Sequence, residues 1–526
     1  MDASDLIDAL RRPEAYPHRA ETLEIRQTHI SIVALAGPFA YKVKKPVDLG
    51  FLDFTTLEKR LHFCREEVRL NRRLAPGVYL EVVPIVERGG TLLVDAEGVP
   101  VEHAVKMRRL SDDATLLARL KRGALDTGVL VELARRIAAF HEAADAGPEI
   151  SRFGRWTTVA ENARENLDQS KGTVGTCVSE AVFEKITVRL EERLDELRPL
   201  IERRAEAHVP RDTHGDLRLG HVYVFPEEDP PGDLVVIDCI EFNERFRFAD
   251  PVADAAFLVM ELVRYGRRDL AEDFADAYIE AADDEEGRAL LLFYVAYRSA
   301  VRGKVAGMVA GEEEVPASER REAIERARAH WLLALSELED PDQRPCLVLV
   351  GGLPGTGKTT LARGLARQAG FSVVSSDRVR KELAGVEAES SAAAPFSEGI
   401  YTPAWNDRTY AACMERAREL VFRGERVVLD ASFRKAGRRR AFREEALGWG
   451  VRTLFLHCTA TPEVVRRHIA GRREGASDAD WSIYEAAAEV WEEAGEGEAL
   501  LEVPTGGSAS EALDAALVRL RAHGLA

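Results

Sequence analysis

Glycine, lysine and threonine stand at fixed spacing in Gly352-Leu-Pro-Gly-Thr-Gly-Lys358-Thr359. An apolar run, Cys346–Val350, precedes this stretch and a helix-forming run begins at Thr360. A glycine-rich turn between a strand and a helix offers backbone N–H groups to a phosphate. The spacing predicts an ATP-binding loop in which Lys358 reaches the β- and γ-phosphates and Thr359 holds Mg²⁺. The residues assigned to ATP here are Gly352, Gly355, Thr356, Gly357, Lys358, Thr359 and Thr360.

Two aspartates earlier in the chain form a second candidate site. Asp216 lies in the run His214-Gly-Asp-Leu-Arg-Leu-Gly-His-Val222, and Asp238 ends an apolar run one hairpin later. In phosphoryl transfer one carboxylate orients the acceptor hydroxyl, and another holds the Mg²⁺ that bridges the ATP phosphates. We therefore predict Asp216 as the catalytic residue, Asp238 as a metal ligand and His214 as a residue that positions the loop.

The second site resembles the catalytic loop and metal-binding strand of aminoglycoside phosphotransferases and related small-molecule kinases. Their pattern is H-G-D-x-x-x-x-N, and the resemblance implies a second metal ligand at position 221. This chain carries His221 there, and imidazole is a poorer Mg²⁺ ligand than an amide or carboxylate oxygen. His221 is assigned to the metal, with Glu241 and Asn243 as residues that can supply oxygens instead.

A strand-like run that begins at Ala40 is similar to the strand that carries the phosphate-binding lysine in those kinases. Lys42 and Lys44 share one face of such a strand, so either can serve, and Lys42 is favoured. Its expected partner is a carboxylate on the following helix, either Glu66 or Glu67. Leucines three and seven positions later place Glu67 near the packed helix face, and Glu67 is therefore preferred.

Two further aspartates follow the glycine-rich loop, each at the end of a strand-like run. Ser376-Asp377-x-x-Arg380 resembles the segment after the second strand in P-loop kinases of the polynucleotide kinase, zeta toxin and gluconate kinase group. The resemblance implies that Asp377 is the general base and that Arg380 binds the acceptor or the transferred phosphate. A helix cap is the alternative role for Asp377. Asp430 ends a third strand and is predicted to hold Mg²⁺.

Arginines after the fourth strand resemble the lid of small P-loop kinases, whose arginines close over the phosphates. The resemblance assigns that role to Arg472 or Arg473. A further basic run, 434–443, is interpreted as a solvated helix face. The alternative is that Arg434 or Lys435 contacts an anionic acceptor.

The elements around these residues predict two domains. Residues 1–336 are expected to form an α+β, two-lobed, protein-kinase-like domain, with an N-lobe at about 20–110 and a helical C-lobe at about 111–336. The polar, proline-bearing segment 337–345 is predicted as the linker. Residues 346–526 are predicted to form an α/β P-loop domain with a mostly parallel sheet.

Composition narrows the function classes. The net charge of −18 lies entirely before residue 344, because residues 344–526 carry 25 basic and 25 acidic side chains. Neither part has the basic balance of a general duplex-DNA binder. No apolar run is long enough to span a bilayer, and six scattered cysteines without a C-x-x-C pair favour reduced thiols. We expect a cytoplasmic protein without a membrane partner.

The chain as a whole resembles bacterial fusions of an aminoglycoside-phosphotransferase-like domain with a P-loop kinase-like domain. The resemblance implies a bifunctional ATP- and Mg²⁺-dependent phosphotransferase acting on hydroxyls of small molecules. One alternative is a P-loop kinase for a metabolite or a nucleic-acid 5′-hydroxyl, with a regulatory pseudokinase before it. Another is a switch that binds nucleotide without transfer. The sequence leaves the acceptors and the oligomeric state open.

Overall fold

The computed structural model describes residues 3–18, 20, 22–50, 52–386, 398–471, 480–495 and 498–526. The chain divides into two compact units. The first comprises residues 1–160, 197–263 and 267–294, and the second comprises residues 161–196, 264–266 and 295–526. Neither unit is one continuous segment.

The first unit contains a six-stranded antiparallel sheet in the order β1-β2-β3-β6-β4-β5. Two small antiparallel pairs, β7 with β10 and β8 with β9, lie later in the chain. The run predicted as a strand from residue 40 is present as β3. The strands are β1 (Leu23–Gln27), β2 (Ser31–Ala36), β3 (Phe39–Lys44), β4 (Tyr79–Arg88), β5 (Thr91–Val94), β6 (Pro100–Arg108), β7 (Arg211–Asp212), β8 (Val222–Val224), β9 (Leu234–Val236) and β10 (Phe248–Ala249).

Helices dominate the chain from residue 116 to residue 338, as the apolar period predicted. Short 3-10 turns lie at Pro13–Ala15, Asp112–Ala114, Arg152–Gly154, Lys171–Thr173, Gly287–Leu290 and Gly399–Tyr401. The helices are α1 (Ala3–Leu10), α2 (Leu57–Asn71), α3 (Leu116–Lys121), α4 (Thr127–Ala143), α5 (Pro148–Ser151), α6 (Trp156–Ser170), α7 (Glu180–Glu206), α8 (Glu244–Arg247), α9 (Pro251–Arg264), α10 (Arg268–Ala282), α11 (Leu291–Gly311) and α12 (Ala317–Leu338).

Helix α2 packs on the six-stranded sheet and so positions the carboxylates of its inner face. It begins at a Thr56 cap, whose hydroxyl accepts a hydrogen bond from the Lys59 N–H. Cys64 and Val68, one turn apart, are buried in the same apolar cluster as residues of β2, β3 and β6. Because these two residues face the sheet, Glu67 between them is buried as well.

The second unit contains a five-stranded parallel sheet in the order β12-β13-β11-β14-β15. Every residue of β11 is buried, which is typical of a central parallel strand covered on both faces. The predicted P-loop fold with a mostly parallel sheet is confirmed. The elements are β11 (Cys346–Gly351), α13 (Lys358–Ala369), β12 (Ser372–Ser375), α14 (Ser376–Leu383), α15 (Pro403–Phe422), β13 (Arg426–Asp430), α16 (Ala436–Gly448), β14 (Arg452–Thr459), α17 (Pro462–Ala470), α18 (Trp481–Glu489), β15 (Leu501–Pro504) and α19 (Ala509–Ala522).

Segments from before the P-loop also belong to the second unit. The Ser179 hydroxyl donates to the Phe422 carbonyl at 2.7 Å, and Lys185 donates to the Gly424 carbonyl at 3.2 Å. A Cβ atom on Gly424 would lie 3.1 Å from Leu335 Cδ2 of α12. The second unit therefore holds more of the chain than 346–526. The boundaries 1–336, 337–345 and 346–526 stay a prediction about independent domains.

All six cysteines are buried free thiols. Burial raises the pKa of the Cys64, Cys239 and Cys458 thiols to about 12, so they are protonated at neutral pH. Within the described ranges, no helix is both long enough and apolar enough to cross a membrane.

Gly450 tests the packing of α12 against the turn after α16. A Cβ atom on Gly450 would lie 2.2 Å from the Ala329 carbonyl oxygen, and the residue has φ of +79°. We expect Gly450→Ala to lower the free energy of unfolding by about 2–3 kcal/mol, because both the backbone conformation and the helix must shift. Gly448→Ala, two residues earlier with open space around it, is the control. Equal urea midpoints for the two variants would contradict this close approach.

Candidate active sites

Strand β3 places Lys42 between two carboxylates in the first unit. Its Nζ lies 2.8 Å from Glu67 Oε1 and 2.7 Å from Asp238 Oδ1. Burial opposes the charge of Lys42, but Asp238 and Glu67 together raise the pKa of this lysine well above its ordinary value. The structure thus brings together the lysine, the helix glutamate and the aspartate that the sequence singled out.

Lys44 binds the same glutamate, which the sequence reasoning missed by treating the two lysines as alternatives. Lys44 Nζ lies 2.7 Å from Glu67 Oε2 and also contacts the Glu241 carboxylate. Burial alone would raise the pKa of Glu67. The positive charges of Lys42 and Lys44 lower it by more, so the pKa of this carboxyl lies below its usual value. The period of two along a strand is the signal that could have predicted this shared carboxylate.

Asp254 anchors the loop that carries Asp216. Its carboxylate, in the first turn of α9, accepts hydrogen bonds from the His214 and Gly215 N–H groups, each at 2.9 Å. His214 Nε2 lies 3.0 Å from the Ile237 carbonyl, and its Nδ1 accepts from the Asp216 N–H at 3.3 Å. Burial lowers the pKa of His214, which is consistent with this neutral tautomer. His214 therefore positions the loop, as the sequence indicated.

Asp216, His221 and Asp238 converge on one point in the first unit. One ligand atom from each lies within 4.8 Å of the others. Burial, and then the charge of Arg218, lower the pKa of His221 to about 4, so its imidazole is neutral at pH 7. Burial raises the pKa of Asp238, but Lys42 and His221 hold it well below its usual range. Two carboxylates and a neutral imidazole fit a divalent cation in charge and donor type.

The two residues expected to compensate for His221 lie elsewhere. Glu241 is turned toward Lys44, and burial raises the pKa of its carboxyl. Asn243 caps α8, where its Oδ1 accepts from the Arg245 N–H at 3.0 Å. Both residues make structural contacts in this arrangement, and the expectation that they supply metal oxygens in place of His221 stays a prediction.

The glycine-rich loop of the second unit has the geometry of a phosphate cradle. Gly352 has φ of +143°, and a Cβ there would lie 2.6 Å from the Cys458 carbonyl oxygen. Gly357, with φ of +83°, caps α13 and leaves the first N–H groups of that helix for an anion. Thr356 donates its hydroxyl to the Leu353 carbonyl at 2.8 Å, and Thr360 is exposed in the first turn of α13.

Two residues that the sequence did not indicate hold this loop in place. The Thr505 hydroxyl, after β15, donates to the Thr356 carbonyl at 2.5 Å. His468 Nδ1, on α17, lies 3.0 Å from the Gly355 carbonyl. Gly355 itself packs against Val465 of α17, which leaves no room for a side chain there. The segment after β15 and helix α17 thus both hold the glycine-rich loop in place.

Lys358, Thr359 and Asp430 meet at the end of β11. Thr359 donates its hydroxyl to Asp430 Oδ2 at 2.7 Å, and Lys358 Nζ donates to the Leu353 carbonyl at 2.8 Å. Burial raises the pKa of Asp430, while Lys358 and the Thr359 hydroxyl act in the opposite direction. A hydroxyl and a carboxylate in contact beside a phosphate cradle are the donors that Mg²⁺ prefers.

Asp377 and Arg380 lie on α14, which follows the neighbouring strand β12. Ser375 pairs with Asp430 in the parallel register, so Asp377 lies at the same sheet edge as Asp430. Ser375 is the cap position of α14, which places Asp377 inside the first turn rather than at the cap. Arg380 is buried, donates to the Ile400 carbonyl at 2.9 Å and lies over the Tyr401 ring.

Arginines gather around Arg380. Burial lowers the pKa of Arg434, and the positive charges of Arg380 and Arg438 lower it further against the effect of Tyr410. The Arg438 guanidinium lies 4.1 Å from the centre of the Tyr410 ring. Arg434 precedes α16 and is partly buried, so it does not lie on a solvated face of that helix. The predicted lid residues Arg472 and Arg473 lie outside the described residues, which end at 471 and resume at 480.

Comparisons with known proteins match both parts of the chain. The family described as the phosphotransferase enzyme family matches residues 64–292, and an AAA domain matches residues 347–493. The uncharacterized protein Rv2004c of Mycobacterium tuberculosis is 33% identical over 477 residues, which cover 90% of this chain and 91% of that protein. The chain belongs to this family of phosphotransferase–P-loop fusions. Both of its parts are of kinase families, and the fusion protein is therefore a kinase.

The P-loop part also has a smaller relative. Gluconokinase of Gluconobacter oxydans is 35% identical over 133 residues, which cover 25% of this chain and 67% of that enzyme. Among solved structures, a gluconokinase from Sinorhizobium meliloti 1021 is 20% identical, with a TM-score of 0.27, and the match covers 34% of the fusion protein and 94% of that chain.

Glu67 tests the charge cluster of the first unit. We expect Glu67→Gln to lower the free energy of unfolding at pH 7 by about 3–5 kcal/mol, because two buried lysines lose their shared anion. Glu66→Gln, one residue earlier on the partly exposed face beside Arg69, should cost about 1 kcal/mol or less.

The same pair of variants gives a pH dependence. The pKa of Glu67 is lowered in the folded chain from an ordinary value of 4.5. Its stabilisation is therefore present above pH 4.5 and is lost as the pH falls through the lower folded value. As the pH falls below 4.5, the difference in unfolding free energy between wild type and Glu67→Gln should therefore become smaller. A difference that grows on acidification would contradict the assignment.

Proposed function

We propose that the fusion protein is a kinase with two ATP sites, each of which transfers the γ-phosphate to a hydroxyl of a small molecule. The observation that carries the proposal is that each unit holds the same three chemical elements. Each has a lysine near a buried carboxylate, side chains that can bind a metal ion, and a further aspartate close by: Asp216 in the first unit and Asp377 in the second. That combination suits phosphoryl transfer in both places.

In the first unit Lys42 would bind the ATP phosphates and Glu67 would hold that lysine in place. Asp238 would hold Mg²⁺, with His221 as the second candidate ligand, and Asp216 would orient the acceptor hydroxyl and accept its proton. Mg²⁺ in such sites neutralises the negative charge that develops on the phosphate oxygens. Lys42 now contacts Asp238 directly, so nucleotide binding would exchange this contact for phosphate oxygens.

In the second unit the glycine-rich loop and Lys358 would bind the phosphates, and Thr359 with Asp430 would hold Mg²⁺. Asp377 would act as the general base toward the acceptor, and Arg380 would bind the acceptor or the transferred phosphate. Arg472 and Arg473 remain the proposed lid residues. The support is that Asp377 and Asp430 lie at one edge of the parallel sheet, where ligands bind in open α/β folds.

Charge favours different acceptors at the two sites. The acidic balance of residues 1–160, 197–263 and 267–294 favours a neutral or cationic acceptor, such as an amino sugar, in the first unit. In the second unit the positive charges of Arg380 and Arg434, which act on each other, favour an anionic acceptor such as a sugar acid. Kinship with a gluconokinase supports that class of acceptor. The six buried thiols support a reducing, cytoplasmic location.

The second candidate function keeps the P-loop site as the only transferase, acting on a metabolite or a nucleic-acid 5′-hydroxyl, with the first unit as a regulatory nucleotide sensor. One observation favours it. His221 Nε2 lies 2.6 Å from Arg218 Nη2, so the ring nitrogen that could bind a metal is engaged by a cation.

Phosphate transfer from labelled ATP to an acceptor panel separates these functions. The panel holds aminoglycosides, amino sugars, sugar acids and a 5′-hydroxyl oligonucleotide. Because a general base contributes about 10²–10⁴-fold, Asp216→Asn and Asp377→Asn should each reduce a different product by that factor. Lys358→Ala should abolish the product that depends on Asp377.

Asp229→Asn and Asp514→Asn, at exposed positions of the chain, serve as controls and should leave both products unchanged. If Asp377→Asn and Lys358→Ala remove every product while Asp216→Asn removes none, the regulatory alternative is correct. If one product requires both aspartates, the proposal of two independent sites is wrong.

A further inference from the structure

The hydrogen bonds of His221 define which of its nitrogens is able to bind a metal. Nδ1 lies 3.0 Å from the Asp216 carbonyl oxygen, which can only accept, so Nδ1 carries the proton. Nε2 lies 2.6 Å from Arg218 Nη2, and a guanidinium can only donate. Nε2 therefore holds the lone pair, and that lone pair already accepts a hydrogen bond from Arg218.

Arg218 is held by the same two residues that would surround a second metal ion. Its Nε lies 3.0 Å from the carboxylate of Asp216, and its Nη2 reaches His221. Only 22% of the side chain is exposed. Burial opposes the charge, but Asp216 and Glu261 raise the pKa of Arg218 above its already high value. A guanidinium in this position is a permanent cation.

Resting on the proposed function of the first unit, we infer that the Arg218 guanidinium replaces the second divalent cation of this site. One metal ion on Asp238 then suffices, and Arg218 supplies the other positive charge to the γ-phosphate. The named contacts use two of the five N–H donors of a guanidinium, so others can bind phosphate oxygens. The replacement of an oxygen ligand by His221 follows from the same design, because imidazole binds Mg²⁺ weakly but accepts well from arginine.

The competing arrangement is that Arg218 moves away and His221 Nε2 binds a second ion. A nitrogen ligand beside two carboxylates would favour a softer cation such as Mn²⁺ over Mg²⁺. The two arrangements differ in the number of metal ions per nucleotide, which can be counted without any acceptor.

The first experiment counts Mn²⁺ bound with a non-hydrolysable ATP analogue by electron paramagnetic resonance. The full chain carries Lys358→Ala, so that the P-loop contributes no nucleotide-bound metal. We expect one Mn²⁺ per bound analogue, and two would overturn the inference. In the double variant Arg218→Met with His221→Asn, an amide oxygen becomes available and the cation is gone. The ratio should rise to two, and a ratio that stays at one would also overturn it.

The second experiment asks whether Arg218 binds the γ-phosphate or only supports the fold. In the same Lys358→Ala chain, Arg218→Met should weaken binding of the ATP analogue about tenfold or more, while ADP binding changes less than threefold. Equal losses for the two nucleotides would show a structural role and refute the inference. Arg211→Met, at a partly buried arginine bonded to backbone carbonyls, is the control for general damage.

The outcomes also separate this inference from the function on which it rests. If the Lys358→Ala chain binds no ATP analogue, the nucleotide site of the first unit does not exist and both statements fall. If it binds the analogue with two Mn²⁺ ions, the site stands and only the role of Arg218 is wrong.

Discussion

A carboxylate can be buried without a large energetic cost only when a positive charge compensates for its lost hydration. In the first unit this requirement applies to Glu67, and the neighbouring elements are arranged around it. Its two oxygens contact two lysines that alternate along β3. Lys42 also contacts Asp238, which follows β9, and Lys44 also contacts Glu241. One buried charge thus connects a strand, a helix and the segment that carries the metal-capable aspartate. The position of each part depends on the others, because removal of any one leaves a charge without its counterpart.

In the second unit, backbone geometry rather than a buried ion pair brings the candidate site residues together. Parallel strands end at a common edge, and the register aligns Val350, Asp430 and Ser375 there. The glycine-rich loop therefore begins beside a carboxylate, and α14 carries Asp377 to the same edge. The order of strands, with β11 in the centre, determines the chemistry available at that edge more than any single contact does.

Local sequence was sufficient where function depends on spacing along one element. The loop from Gly352 to Thr359 and the strand-terminal Asp430 belong to this class. The pair of Lys42 with Glu67 joins a strand to a helix, and the positions of both residues near the packed faces of these elements indicated it. The sequence was insufficient where several partners compete for one group. Glu241 offers an oxygen ligand in the sequence, yet Lys44, 197 residues away, engages it. Arg218 belongs to the run from His214 to Val222, but only its distances to Asp216 and His221 show that it lies inside the site.

The packing of the P-loop sheet has a consequence for how such a protein can arise. Contacts at Phe422, Gly424 and Gly450 are made by residues that precede the glycine-rich loop, namely Ser179, Lys185, Ala329 and Leu335. A P-loop cassette inherited from residue 346 onward would lack both α12 and the start of α7, which make these contacts. Exchange of the cassette between lineages would therefore have to carry both helices with it or replace their side chains. The heritable module is larger than the catalytic one.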